Sequence, residues 1–116
     1  MTSLAIKRVY DPAAPEDGLR VLVDRLWPRG LRKSDAEADE WRRELAPSPE
    51  LRTWWNHDPE RLDEFAERYR AELDGNPAVD EFARHIAGEK RVTLLYAAKD
   101  PHVNHARILA DYLRED

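Results

Sequence analysis

Two runs of unbroken apolar residues constrain this chain more than any other feature. Val21-Leu22-Val23 sits inside RVLVDRLWPRG (Arg20–Gly30), and VTLLYAA (Val92–Ala98) lies far downstream. A short β-branched run bounded by turn residues reads as a strand buried on both faces, as in a parallel sheet. Helical stripes separate the two runs, which favours crossover connections, parallel pairing and an α/β architecture. The expected fold is one α/β domain over residues 1–116, with a small, mostly parallel sheet of about 3–4 strands flanked by helices.

The remaining elements follow from local signals. AIKRVY (Ala5–Tyr10) reads as a first strand and DPAAPEDG (Asp11–Gly18) as a surface loop. The second strand is Arg20–Asp24, followed by a cation-rich loop, Leu26–Ser34. Residues Asp35–Ala46 fit either a helical spacing or an edge strand. Four pairs, Ser48-Pro49, Asp58-Pro59, Asn76-Pro77 and Asp100-Pro101, place a capping side chain before a proline. Such a side chain accepts a bond from a free amide, and proline at the first helical position loses nothing because its N–H would be orphaned anyway. They predict helices over Pro49–Trp55, from Pro59 to about Leu73, over Pro77–Ala87, and from Asp100-Pro101 to the C-terminal region. The second carries the stripe Leu62, Phe65, Ala66, Tyr69 and Leu73.

Charge and composition remove several function classes. The chain has no cysteine, which excludes disulfides, thiol catalysis and cysteine-ligated metals. Its net charge of −5 argues against non-specific nucleic-acid binding, which rests on many cations facing phosphates. No apolar run approaches the roughly 18 residues of a membrane span, and no signal peptide is visible, so a cytoplasmic, membrane-free protein is expected. No glycine-rich phosphate loop and no nucleophile elbow occurs.

Ligands of open parallel sheets collect outside the carboxyl ends of the strands. The second strand ends in Asp24, Arg25, Trp27 and Arg29; the strand at Val92–Ala98 ends near Tyr96, Lys99, Asn104 and His105. Arginine forks suit carboxylate or phosphate, and a helix N-terminus favours an anion. The competing reading pairs Asp24 with Arg25 or Lys99 to close the sheet end and leaves the other arginines solvated. His102 and His105, three apart in a helical first turn, share a face, and with His57 they suggest a metal site; their spacing matches no zinc signature. Trp54 and Trp55 point about 100° apart on a helix, so one belongs to the core while the other lines a cleft.

The motifs KRVYD (Lys7–Asp11), DGLRVLVDRLWPRG (Asp17–Gly30), DEW (Asp39–Trp41), APSPELRTWWNHDP (Ala46–Pro59), RYRAEL (Arg68–Leu73) and VTLLYAAKDPHVNHARIL (Val92–Leu109) span nearly the whole chain. On these the chain resembles the domain-of-unknown-function family numbered 488, in its short YeaO-like branch. The resemblance implies a compact α/β domain and a strand around Asp39–Leu45. Longer relatives carry a cysteine in the strand corresponding to Leu94–Ala98 and a Cys-His-Arg triplet near the last helix. Here Tyr96 and Asn104-His105-Ala106 stand at those places, so only His105 matches. Some relatives are described as transcription regulators; no helix-turn-helix is visible here, and the acidity counts against that role.

The leading reading is a domain that binds a small anionic or planar ligand (phosphate, nucleotide or carboxylate) at the strand ends, with hydrolysis left open. Arg25, Arg29 and Lys99 hold the anion and Asp24 orients Arg25. His105 is the candidate base, with Asp24 as its catalytic partner. Trp27 and Trp55 wall the site, and His57, Tyr96 and Asn104 contact the ligand. No cofactor or metal is assigned, and the oligomeric state is open. The alternatives are a non-catalytic interaction module with a tryptophan-rich surface and, more weakly, a histidine-ligated metal or haem protein.

Overall fold

The computed structural model describes residues 2–115. Its elements run β1 (Ser3–Arg8), β2 (Leu19–Leu22), α1 (Lys33–Ala36), β3 (Glu40–Trp41), α2 (Pro49–Trp55), α3 (Leu62–Asp74), α4 (Pro77–Ile86), β4 (Arg91–Tyr96) and α5 (His105–Arg114), with short 3₁₀ turns between some of them. The strands form a single sheet in the order β1-β4-β2-β3, and every neighbouring pair is parallel. The two apolar runs are its centre: Val21 lies opposite Leu94 and Leu22 opposite Leu95. The expected α/β architecture is therefore present.

Side chains alternate across this sheet. Val21, Val23, Val92, Leu94 and Tyr96 pack with Trp55, Phe65, Tyr69, Phe82 and Leu109 of the helices α2–α5. Leu22 and Leu95 face the other way, with Val9 and Ala36, under Trp27, Leu31 and Trp41. Val21, Leu22 and Val23 are each fully buried; burying a side chain of this kind stabilises by roughly 1.5–3 kcal/mol.

The two central strands part company at their ends. The chain leaving β2 passes to the face that carries α1, whereas the chain leaving β4 passes to α5 on the opposite face. Neighbouring strands whose connections diverge in this way open a crevice between their carboxyl ends. At the other end of β2, Gly18 adopts φ +66°, and a β-carbon there would collide with the carbonyl of Arg91. Only glycine allows the chain to enter β2 so close to β4.

Three cap–proline pairs act as expected. Ser48 accepts from the Leu51 amide at the head of α2, Asp58 from the Glu60 amide in the 3₁₀ turn before α3, and Asn76 from the Ala78 amide at the head of α4. The fourth does not start a helix. Asp100 Oδ1 accepts from the amides of His102 and Val103 in an isolated turn. The backbone is extended at Asn104 (φ −156°, ψ 156°), and Asn104 is the true N-cap of α5, accepting from the Arg107 amide at 2.9 Å. His102 thus precedes the helix instead of sharing its first turn with His105.

The ambiguous segment 35–46 divides into the end of α1, the two-residue edge strand β3 and a 3₁₀ turn over Arg43–Leu45. The strand implied by the resemblance exists only as Glu40–Trp41. β1 starts and stops two residues earlier than the sequence pattern suggests, because a turn closed by Asp11 N–H on the Arg8 carbonyl takes Tyr10 out of the ladder.

Candidate functional site

Asp24 is the first residue of the crevice. Its Oδ2 accepts from the Ala97 amide at 3.0 Å, so one carboxylate ties the end of β2 to the end of β4. The Trp41 indole donates to the Asp24 carbonyl at 2.8 Å and fixes its backbone. Asp24 Oδ1 is buried and has no hydrogen-bond partner among the described residues; His105 Nε2 lies 3.5 Å from it. Burial pushes the Asp24 carboxyl above its ordinary value, against the opposing pull of His105, the Ala97 amide, Arg52 and His57.

His105, the first residue of α5, points its Nε2 at the Val23 carbonyl, 2.9 Å away. A carbonyl only accepts, so Nε2 carries the proton. Burial holds the imidazole below its ordinary pKa, although Asp24 and the Val23 carbonyl pull it upward. The neutral ring therefore keeps an acceptor lone pair on Nδ1, which makes no hydrogen bond among the described residues. Tyr69 packs against the ring edge-on, with centroids 6.2 Å apart. The polarity is the reverse of a hydrolase triad, in which the carboxylate holds Nδ1 and Nε2 acts.

Three hollows meet at His57, beside this pair. The first, about 380 Å³, is bounded by Asp24, Arg25, Trp27, Arg29, Arg52, His57 and His105, among others. A second, about 250 Å³, shares Arg52, His57 and His105 with it and reaches Trp55. A third, about 350 Å³, shares His57, Ala97 and Ala98 with the first and reaches Lys99 and Val103. Arg25 and Lys99 thus line neighbouring hollows on one side of the molecule. Three arginines face a single carboxylate in the first hollow, a local inversion of the chain's overall negative balance.

The arginines are held differently. Arg25 donates from Nε to the Pro47 carbonyl (3.2 Å) and from Nη2 to the Ala46 carbonyl (3.3 Å). Its planar fork is pinned to the loop before α2, and Asp24 pairs with neither Arg25 nor Lys99. Arg29 and Arg52 are exposed, and neither guanidinium makes a hydrogen bond or ion pair among the described residues. Arg52 was absent from the sequence-derived site. Leu51 and Trp55, four apart on α2, are both buried, which turns Arg52 toward the cleft rim.

Other sequence-derived candidates sit elsewhere. Tyr96 is buried in the core beneath the helices and lines none of these hollows. Asn104 is 1% exposed, and its amide is consumed by the Arg107 amide and the Asp100 carbonyl. Trp55 is a core residue that reaches the site only at its edge, while Trp54 lies under the guanidinium groups of Arg61 and Arg68. Trp27 donates to the Leu31 carbonyl and meets Trp41 edge-on, presenting its side to the first hollow. All four tryptophans are buried or half-buried; the exposed large hydrophobic side chains are Tyr10 and Leu26. His102 accepts from Arg107 in a groove between α3 and α5, and His85 pairs with Glu40 across the seam between α4 and β3. Among the described residues no group of three or more histidine or carboxylate side chains is placed to hold a metal ion, and no helix is long and apolar enough to cross a membrane.

Comparison with known proteins places this architecture. The family model described as the inactive DUF488-N3 subclade matches residues 3–116. The uncharacterized protein YeaO of Escherichia coli (strain K12) is 46% identical over 112 residues, covering 97% of this chain and 97% of that protein. The uncharacterized protein Rv3073c of Mycobacterium tuberculosis (strain ATCC 25618 / H37Rv) is 46% identical over 112 residues, covering 97% of this chain and 94% of that protein. No solved structure matches the chain.

Proposed function

We propose a binding role for this chain, which belongs to the inactive DUF488-N3 subclade: it holds a small anion, of the phosphate or carboxylate class, in the crevice between the ends of β2 and β4. Arg52 and Arg29 supply free guanidinium groups, Arg25 supplies a pinned one, and His105 offers Nδ1 to a hydroxyl of the ligand. The observation that carries the reading is the charge of the first hollow. Three arginines converge on it, and its one carboxylate, Asp24, is already bonded to a backbone amide. A cleft of one sign with low-dielectric walls concentrates counter-ions even when the whole molecule carries the opposite sign.

Binding without turnover fits the chemistry present better than hydrolysis does. The chain has no cysteine, and the subclade is described as inactive. The basic nitrogen of His105, Nδ1, bonds to no hydroxyl among the described residues, so the His105–Asp24 pair activates no nucleophile there.

The test is a calorimetric and thermal-unfolding titration with phosphate, sulfate and acetate, on the wild type and on Arg52→Ala. An anion at about 100 times its dissociation constant adds about 2.7 kcal/mol of stability. Arg52→Ala should fold as the wild type does, because its guanidinium bonds to nothing described, and should lose most of the ligand-induced shift. If none of the anions moves the unfolding midpoint at millimolar concentrations, the proposal is wrong.

A further inference from the structure

A stack of aromatic rings runs out of the core and stops at the cleft. Phe65 and Trp55 lie face to face, with centroids 3.9 Å apart and planes 14° apart, and His57 continues the column at 4.8 Å and 36°. Phe65 and Trp55 are buried, whereas His57 is exposed. The indole of Trp55 is locked by its bond to the Asp58 carbonyl at 3.0 Å. The chain reaches this arrangement through two successive left-handed residues, Asn56 (φ 48°) and His57 (φ 54°), a conformation that residues with a β-carbon adopt uncommonly. Among the described residues no further ring covers the outer face of the imidazole, and His57 borders all three hollows. On one side of it stand the arginines. On the other is the mostly apolar hollow walled by Pro59, Ala97, Ala98 and Val103 and bounded also by Lys99 and Asp100.

From this juxtaposition we infer that the ligand is an aromatic phosphate monoester. Its ring extends the Phe65–Trp55–His57 column into the apolar hollow, and its dianionic phosphate meets Arg52 and Arg25 in the first. The inference rests on the anion reading above and narrows it to one ligand class. Three guanidinium groups against one carboxylate suit a dianion, and an apolar chamber beside them suits the ring rather than the charge.

The test compares inorganic phosphate, cyclohexyl phosphate and phenyl phosphate by calorimetry, on the wild type, His57→Asn and His57→Phe. Asparagine tolerates the left-handed conformation but removes the ring; phenylalanine keeps a ring. On the wild type phenyl phosphate should bind on the order of tenfold more tightly than inorganic phosphate and about threefold to tenfold more tightly than cyclohexyl phosphate, as a stacked pair predicts. His57→Asn should reduce phenyl phosphate to the level of cyclohexyl phosphate, and His57→Phe should retain the preference. Equal affinity of the wild type for inorganic and phenyl phosphate, or a preference that survives His57→Asn, overturns this inference and leaves the anion reading standing. No binding of any of the three phosphates overturns this inference, and overturns the anion reading as well when sulfate and acetate also fail to bind.

Discussion

Asp24 is the residue at which stability and the proposed site pull apart, and Asp24→Asn measures that conflict. The carboxylate has one oxygen on the Ala97 amide and one buried without a partner. An unsatisfied buried acceptor carries a desolvation penalty of about 1–3 kcal/mol. Asparagine keeps the shape and the acceptor for Ala97, and it removes the buried charge. Its amide nitrogen, at the place of Oδ1, faces the N–H of His105 and gains no acceptor, which offsets part of the gain from removing the charge, so a net gain of about 1–2 kcal/mol is expected at pH 7.5. Because burial raises the folded-state pKa above the ordinary 3.8, the folded protein binds the proton more tightly than the unfolded chain. Stability from this group is therefore complete below 3.8 and declines as pH rises through the folded pKa. His105 works in the opposite direction: its pKa is lowered from 6.5 by burial, so its contribution is complete above 6.5 and is lost as pH falls through the folded pKa. The variant should thus lead the wild type near neutrality, and the gap should close by about pH 3. Urea unfolding followed by tryptophan fluorescence reads this directly, since Trp55 is buried. With a slope of about 2 kcal/mol/M, the middle of the usual range, the midpoint should move up by roughly 0.5–1 M at pH 7.5. A variant less stable than the wild type at pH 7.5, or a gap unchanged at pH 3, would refute the assignment of a costly charge to Asp24.

Two further substitutions probe the frame around the site. Arg20 is 5% exposed and donates to Asp17 (2.6 Å), the Ala36 carbonyl and the Glu37 carbonyl (both 2.8 Å). Arg20→Ala removes a partner of a buried carboxylate and strands two carbonyls, so it should cost about 3–5 kcal/mol in urea unfolding; a loss below about 1 kcal/mol would show that water takes over these bonds. Asn104→Ala deletes the N-cap of α5, at a cost of about 0.5–2 kcal/mol. Amide exchange at Arg107 should accelerate in that variant, and an unchanged rate would mean that the cap is not what starts the helix.

What was legible in the sequence follows from where each signal resides. Val21–Val23 and Val92–Tyr96 announce buried strands because both faces of the sheet are covered, and that fact is written into every residue. Ser48-Pro49 announces α2 because the cap and the missing N–H act within one turn. Asp100-Pro101 carries the same signature and misleads, since its aspartate closes a local turn while the extended backbone at Asn104 resets the chain before α5. The candidate site was half visible. Asp24, Arg25, Arg29 and His105 stand at strand or helix ends, where topology makes a position informative. Arg52 was hidden because its direction depends on which neighbouring tryptophan enters the core, and Trp54 and Trp55 are equivalent until the packing of Phe65 decides. Arg20 was hidden for a related reason: an arginine opening a strand reads as solvated, and only the turn carrying Ala36 and Glu37 buries it.

Of the three left-handed residues other than glycine among those described, Glu37 ends α1, while Asn56 and His57 stand together at the crevice. Elsewhere among the described residues, buried side-chain polar groups are satisfied: Arg20 and Asp17 bond each other, Thr93 donates to the Asp17 carbonyl, and Asn104 uses both ends of its amide. At the crevice, Asp24 Oδ1 has no partner, and Asn56 and His57 are held left-handed one after the other. Strained backbone costs of order 1–3 kcal/mol per residue in general, less for asparagine, and persists only where surrounding structure enforces it. Here the enforcement is visible: Trp55 is locked to the Asp58 carbonyl, and its ring holds the imidazole of His57. Asp24 and His57 border the same cleft. In the proposed site the turn has a use, because a relaxed turn would carry His57 away from Trp55 and take the imidazole face from beside the arginines.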